Sequence, residues 1–161
     1  MRLKKPYFWD LPKPNFLSYL LIPFSLPIIL RNFWFKYLRK KKPFNIKTIC
    51  VGNIYLGGTG KTPLTIKIFE ILKKLNFKVA AVKKNYSNQK DEQLLIKSRT
   101  NLISKRSRKD CSNEAINKNF KYAIFDDGLQ DPSINYDYNI VCFNINNWIG
   151  NGQTIPSGPL R

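Results

Sequence analysis

The chain has 161 residues, a length suited to one domain with a core that needs no disulfide framework. Lys and Arg number 28 against 10 Asp and Glu, a formal net charge of +18, and the lack of any histidine excludes Ser-His, Cys-His and His-metal chemistry. Residues 1–48 and 49–110 each carry a net +10 and residues 111–161 a net −2, so a field favouring phosphate-bearing partners belongs to the first two-thirds.

Residues 1–45 form a lead-in of their own. Pro6, Pro12 and Pro14 precede an apolar run from Phe16 to Leu30, FLSYLLIPFSLPIIL, which is followed by RNFWFKYLRKKK. As helix that run spans about 22 Å against a hydrocarbon core of about 30 Å, and Pro23 and Pro27 are expected to interrupt it. A transmembrane helix is therefore not expected. Nor is a signal peptide, because no small-residue cleavage site follows and the flank is aromatic and basic. A helical segment lying in a membrane surface fits the composition. Trp9, Phe16, Tyr19, Phe33, Trp34, Phe35 and Tyr37 are residue types that sit at headgroup depth, while Arg31, Lys36, Arg39, Lys40, Lys41 and Lys42 would face anionic phosphates. A helical hairpin packed on the domain core would use the same apolar run and basic ends.

From residue 46 the pattern changes. Ile46 to Gly52 is a short buried strand, Asn53 to Leu56 a link, and Gly57-Gly58-Thr59-Gly60-Lys61-Thr62-Pro63 a glycine loop. Leu64 to Leu75 follows with apolar positions 64, 68, 71, 72 and 75 at helical spacing. Strand, glycine loop, helix is the setting of a phosphate-binding loop. Glycines let backbone N–H groups turn inward around phosphate oxygens, and the helix N-terminus adds its positive end. Lys61 can reach the β- and γ-phosphates, and the Thr62 hydroxyl can ligate Mg²⁺. The common GxxxxGK spacing would put Gly at position 55, where this chain has Tyr; GGTGKT is the spelling of the deviant loops, without their extra lysine at Leu56.

Phe77 to Val82 is a second strand, Lys83 to Lys90 a loop, and Asp91-Glu92 opens a helix running from Gln93 to Arg99. Leu102-Ile103 is a further short strand and Cys111 to Asn119 a polar helix. Tyr122 to Phe125 is an apolar strand that ends in Asp126-Asp127-Gly128, the layout of a Walker-B site in which a carboxylate at the strand's end holds Mg²⁺ or its water shell. In an open parallel sheet, ligands bind at the carboxyl ends of strands, which would bring these acids to the glycine loop. A last strand, Tyr138 to Phe143, leads into the tail IGNGQTIPSGPLR. Cys50, Cys111 and Cys142 form no CxxC pair, which fits a reducing compartment and neither zinc nor disulfides. The expected fold is α/β, a P-loop NTPase-like, mostly parallel sheet flanked by helices over residues 46–161, preceded by the hydrophobic and basic helical membrane-surface segment over 1–45.

VGNIYLGGTGKTPL at 51–64, FDDGLQ at 125–130 and WIGNGQTIPSGPLR at 148–161, in that order after an apolar, basic lead-in, resemble the tetraacyldisaccharide 4'-kinases of lipid A synthesis. The resemblance covers most of this chain and about the N-terminal half of the family's usual length. It implies transfer of the γ-phosphate of ATP, with Mg²⁺, to the 4'-hydroxyl of an acylated glucosamine disaccharide 1-phosphate. It also implies a peripheral position on the cytoplasmic face of the bacterial inner membrane. Carried over, Tyr55, Leu56, Gly57, Gly58, Thr59, Gly60, Lys61 and Thr62 would form the ATP loop, Lys61 and Asp127 would act in catalysis, and Thr62, Asp126 and Asp127 would hold the metal. Asp91 resembles the family's candidate base, although an acid there also caps a helix.

The chain departs from the family at Asp131, where a His is usual, and at Lys83-Lys84-Asn85-Tyr86, where the family has Ser-Arg-Gly-Tyr. The family continues into a second domain that closes over the nucleotide, so a separately encoded C-terminal domain is a candidate partner. These departures carry the alternative reading, a nucleotide-binding fragment without catalysis. A basic NTPase acting on nucleic acid is disfavoured, because the aromatic and basic residues lie in one apolar run and not along an interleaved groove.

Overall fold

A computed structural model describes residues 5–38, 45–85, 90–131 and 134–161. Arg39 to Lys42 and Tyr86, together with the side chain of Lys36, lie outside the described residues. The chain divides into two compact units, one of residues 1–39, 53–59 and 143–161, the other of residues 40–52 and 60–142.

The larger unit is a five-stranded, wholly parallel sheet. Its strands are β1 (Lys47–Gly52), β2 (Val79–Lys84), β3 (Leu102–Lys105), β4 (Tyr122–Asp126) and β5 (Tyr138–Val141), in the order β3-β2-β4-β1-β5. Side chains alternate across it. Cys50, Ala80, Val82, Ala123 and Phe125 join Cys111 and Ala115 of the helix Arg108–Asn117 on one face. Val51, Val79 and Ile124 meet Phe69, Leu64, Ile68 and Leu72 of the helix Lys61–Lys74 on the other. With both faces covered, the strands read as near-continuous apolar runs. In chain order the helices of this unit are α2 (Lys61–Lys74), α3 (Lys90–Arg99) and α4 (Arg108–Asn117), α1 being the N-terminal helix described below.

Several boundaries move from those expected. Lys83 and Lys84 are not loop: β2 runs through them, pairing Lys83 with Ser104 and Lys84 with Lys105, because the ladder continues and Lys83 finds a carboxylate across it. Helix α4 begins three residues early, at Arg108, since the Ser107 side chain accepts from the Asp110 N–H at 3.1 Å and caps it. Strand β5 stops at Val141, and Phe143 belongs instead to the smaller unit, where it stacks on Trp148 of the same unit.

The smaller unit holds a 3-10 turn over Tyr7–Trp9 and helix α1 (Phe16–Leu38). Here the expected break is corrected: α1 is one 23-residue helix with Pro23 and Pro27 inside it. At 1.5 Å per residue it is about 35 Å long, and its stretch Phe16–Phe35 is long and apolar enough to cross a membrane. Asn15 caps it, its side-chain carbonyl accepting from the Ser18 N–H at 3.0 Å. The packing of α1 inverts the usual pattern. Ser18 and Ser25, seven residues apart and so on one face, are its buried residues among the described side chains, hydrogen-bonded to residues of the tail. Phe16, Tyr19, Leu20, Phe24, Leu30, Phe33, Trp34 and Tyr37 stand exposed. Asn151 locks the tail down: its amide donates to Phe8 O, Ser18 Oγ and Ser157 O. Gly150 adopts φ +58 with the Trp9 carbonyl 2.1 Å from where a Cβ would stand, so only glycine fits there.

Candidate functional site

In the sheet-bearing unit the functional groups gather where α2 begins and β4 ends. Gly60 precedes α2 at φ +74, a left-handed conformation that glycine takes without strain, and its carbonyl accepts the first helical bond from Leu64 N–H at 3.2 Å. The first-turn N–H groups of any helix lack an intrahelical acceptor, and Pro63 removes one of them at no cost. With no acid in the first turn and Lys61 at its head, this end of α2 has the donors and the positive charge that suit an anion.

The carboxylates arrive from β4. Asp126 is buried at its last position, and Asp127 turns away at φ +58 with its N–H donating to Val51 O at 2.8 Å. Lys61 Nζ lies 3.9 Å from Asp127 Oδ1. Thr62 Oγ1 donates to Asp126 Oδ2 and Thr65 Oγ1 to Asp126 Oδ1, each at 3.4 Å. The pairs expected from the sequence, Lys61 with Asp127 and Thr62 with Asp126, are thus brought together. Asp91 stands exposed in the first turn of α3, and it is the adjacent Glu92 that reaches this cluster.

Glu92 does so through a residue that sequence reasoning assigned to a loop. Lys83, only 3% exposed in its side chain, donates to Asp126 Oδ2 at 2.7 Å and to Glu92 Oε2 at 2.5 Å. The β2–β4 register sets Lys83 directly opposite Asp126. Burial alone would push the Lys83 ammonium's pKa down; Asp126 first, and then Glu92, outweigh it and hold the pKa above its ordinary value. Arg108 was likewise missed. Its guanidinium donates to the Asp127 carbonyl at 2.5 Å and to the Asp131 carboxylate at 3.3 Å. The negative charge of Asp131 is therefore matched by a buried arginine.

The donors suit a hard divalent cation in kind, being a hydroxyl and two carboxylates. No cluster of three or more His, Cys, Asp or Glu that could hold a metal occurs among the described residues, so a cation here would draw remaining ligands from water or phosphate.

Gly60, Lys61 and Thr62 belong to the sheet-bearing unit, whereas Tyr55 to Thr59 belong to the smaller one. Within the smaller unit the tail holds these residues in shape. Asn53, buried, donates to Tyr55 O and to Gly57 O and accepts from the Arg161 guanidinium. Leu56 N–H donates to Pro159 O at 2.9 Å and Arg161 N–H to Ile54 O at 3.1 Å. The Tyr55 hydroxyl donates to Asp10 and accepts from Lys5 at 2.9 Å, so the residue standing where a common phosphate loop has glycine is an anchor. Thr59 Oγ1 is buried with no protein partner among the described residues, an orphaned hydroxyl suited to a ligand oxygen.

Residues 16–161 match the family described as LpxK, tetraacyldisaccharide-1-P 4'-kinase. A protein of Pelagibacter ubique named tetraacyldisaccharide 4'-kinase is 58% identical over 163 residues, which are 100% of this chain and 51% of that protein. One of the same name from Rickettsia canadensis is 31% identical over 183 residues, 100% of this chain and 54% of its own length. A crystal structure of "apo" form LpxK from Aquifex aeolicus in complex with ATP shares the fold at TM-score 0.74 and 24% identity, over 90% of this chain and 54% of that one. The chain spans about half the length of the curated relatives it matches.

Proposed function

The chain belongs to the tetraacyldisaccharide 4'-kinase family, and on that premise we propose that it binds ATP with Mg²⁺ and serves transfer of the γ-phosphate to the 4'-hydroxyl of an acylated glucosamine disaccharide 1-phosphate. The observation that carries the reading is the meeting of Lys61 and Thr62 with Asp127 and Asp126 at the anion-binding start of α2. In this reading, loop N–H groups from Tyr55 to Thr62 and the Lys61 ammonium neutralise phosphate charge. Thr62, Asp126 and Asp127 hold the Mg²⁺, which supplies charge neutralisation at the phosphates when bound. Asp91, exposed at the head of α3, is free to meet the acceptor hydroxyl as base. Most of the rate would come from alignment and electrostatics, since phosphoryl transfer asks little covalent chemistry of the protein.

The test follows γ-phosphate transfer from ATP to the disaccharide lipid, alongside ATP binding, for the wild type and Lys61→Ala. Lipid-dependent transfer that Lys61→Ala abolishes supports the proposal. ATP binding without any transfer would replace it by the nucleotide-binding reading, and absence of both would remove it.

We further propose a peripheral position on the cytoplasmic face of the bacterial inner membrane. The exposed apolar side of α1 supports it, and so does the opposite side, where Ser18 and Ser25 are taken up by the tail. A helix with one side bound to protein and the other apolar suits an interface better than a span.

A further inference from the structure

We propose that Lys83 is a resident counter-ion competing with a divalent cation for Asp126, and that Glu92 is the carboxylate that keeps its ammonium when the cation binds. The inference rests on the metal-site reading above. It starts from one oxygen: Asp126 Oδ2 receives both Thr62 Oγ1, at 3.4 Å, and Lys83 Nζ, at 2.7 Å. A cation ligated by Thr62 and Asp126 would take that same oxygen. A carboxylate oxygen in direct contact with an ammonium is a poor inner ligand for Mg²⁺, because two cations at one oxygen repel each other across a poorly solvated gap.

The geometry also supplies the exit. Glu92 Oε2 lies 2.5 Å from the same Nζ and its side chain is half exposed, whereas Asp126 is 1% exposed. The flexible four-carbon stem of lysine needs only a short swing to give up Asp126 and keep Glu92. Without Glu92 the displaced ammonium would be left buried with no partner, which is costly. The effect of this competition is to keep the site charge-balanced without metal and to make metal binding depend on an accompanying polyanion, which adds the negative charge that tips the exchange.

Mn²⁺, whose free ion is counted by electron paramagnetic resonance, serves as the probe, titrated into the full chain with saturating ATP. Lys83→Met is expected to bind Mn²⁺ at least tenfold more tightly than the wild type. It should also show a larger rise in thermal midpoint on adding Mn²⁺, because the metal then supplies the missing positive charge at Asp126. Glu92→Gln is expected to weaken Mn²⁺ binding several-fold. Unchanged or weaker binding by Lys83→Met overturns the proposal. If that variant fails to fold, Glu92→Gln, altered at a half-exposed position, decides alone, and unchanged binding there overturns it. Should the wild type and both variants all bind no Mn²⁺ in the presence of ATP, the metal-site reading fails and takes this proposal with it.

Discussion

Replacing Phe24 and Trp34 of α1 by serine removes two rings from the exposed apolar side of the helix while leaving the buried Ser18 and Ser25 contacts alone. The rings are 67% and 65% exposed, so about two-thirds of each is available to enter a membrane surface. Full burial of a large apolar side chain contributes about 1.5–3 kcal/mol, which gives about 1–2 kcal/mol for each ring and about 2–4 kcal/mol for the pair. The expected result is a fall of about 30- to 700-fold in partitioning onto vesicles, since about 1.4 kcal/mol is tenfold. Co-sedimentation with vesicles containing one-third anionic lipid measures it, with circular dichroism to show that the helix content is kept. A folded double variant that partitions within threefold of the wild type refutes the reasoning. It would mean that the basic residues alone carry the attachment, and high salt would then release the wild type completely.

Asn151→Ala should destabilise the smaller unit by about 2–6 kcal/mol, because it orphans the buried Phe8 and Ser157 carbonyls at about 1–3 kcal/mol each. Urea unfolding followed by intrinsic tryptophan fluorescence reads this, and a loss under 1 kcal/mol contradicts it. Asp137 links β5 to β1 by accepting from the Thr48 N–H and hydroxyl at 2.7 and 2.8 Å. Burial pushes its carboxyl up, but these bonds and Lys47 outweigh that and hold its pKa below the ordinary 3.8. The unfolded chain therefore takes up the proton first as pH falls. The contribution is full above about 3.8 and fades as pH drops through the lower folded value. Asp137→Asn should accordingly lose stability at neutral pH, and the gap to wild type should narrow below pH 3.8 in denaturation series across pH. Burial pushes the Cys50 thiol up to about 12, so alkylation of the folded protein at pH 8 should label the half-buried Cys142 well before Cys50. Mass spectrometry of the peptides checks the order.

Much of the sheet-bearing unit was legible because its signals are local. An apolar run bounded by glycines predicts β1, the 64-68-71-72-75 spacing predicts α2, and an apolar run ending in two aspartates predicts β4. What the sequence hid depends on partners far along the chain. Lys83 looked like loop because charge is expensive inside a sheet; only the register that places Asp126 across from it makes a buried lysine tolerable. Pro23 and Pro27 looked like breaks because each removes a helical hydrogen bond, yet α1 runs through both. The cap at Ser107 has a local signal, Ser followed three residues later by Asp, but no apolar periodicity follows it to mark the helix start.

The smaller unit gives a physical reason for three motif blocks to occur together. VGNIYLGGTG supplies Asn53, Tyr55 and Leu56, the tail PSGPLR supplies Ser157, Pro159 and Arg161, and the lead-in supplies Lys5, Asp10 and Ser18. Every one of these residues is joined to a member of another block by a hydrogen bond described above. Glycines make a loop able to surround phosphate, but the same freedom leaves it without a preferred shape in isolation. Asn53 closes the loop from inside by bonding Tyr55 O and Gly57 O, and Arg161 fixes Asn53 in turn. The ordering entropy is thus met when the chain folds and not when a ligand arrives, which is the physical content of preorganisation. The tail in turn binds α1 through Ser18 and Ser25, so the backbone that shapes residues 53–57 also seats the apolar helix. One hydrogen-bonded tail thus holds both residues 53–57 and the apolar helix α1 within the smaller unit.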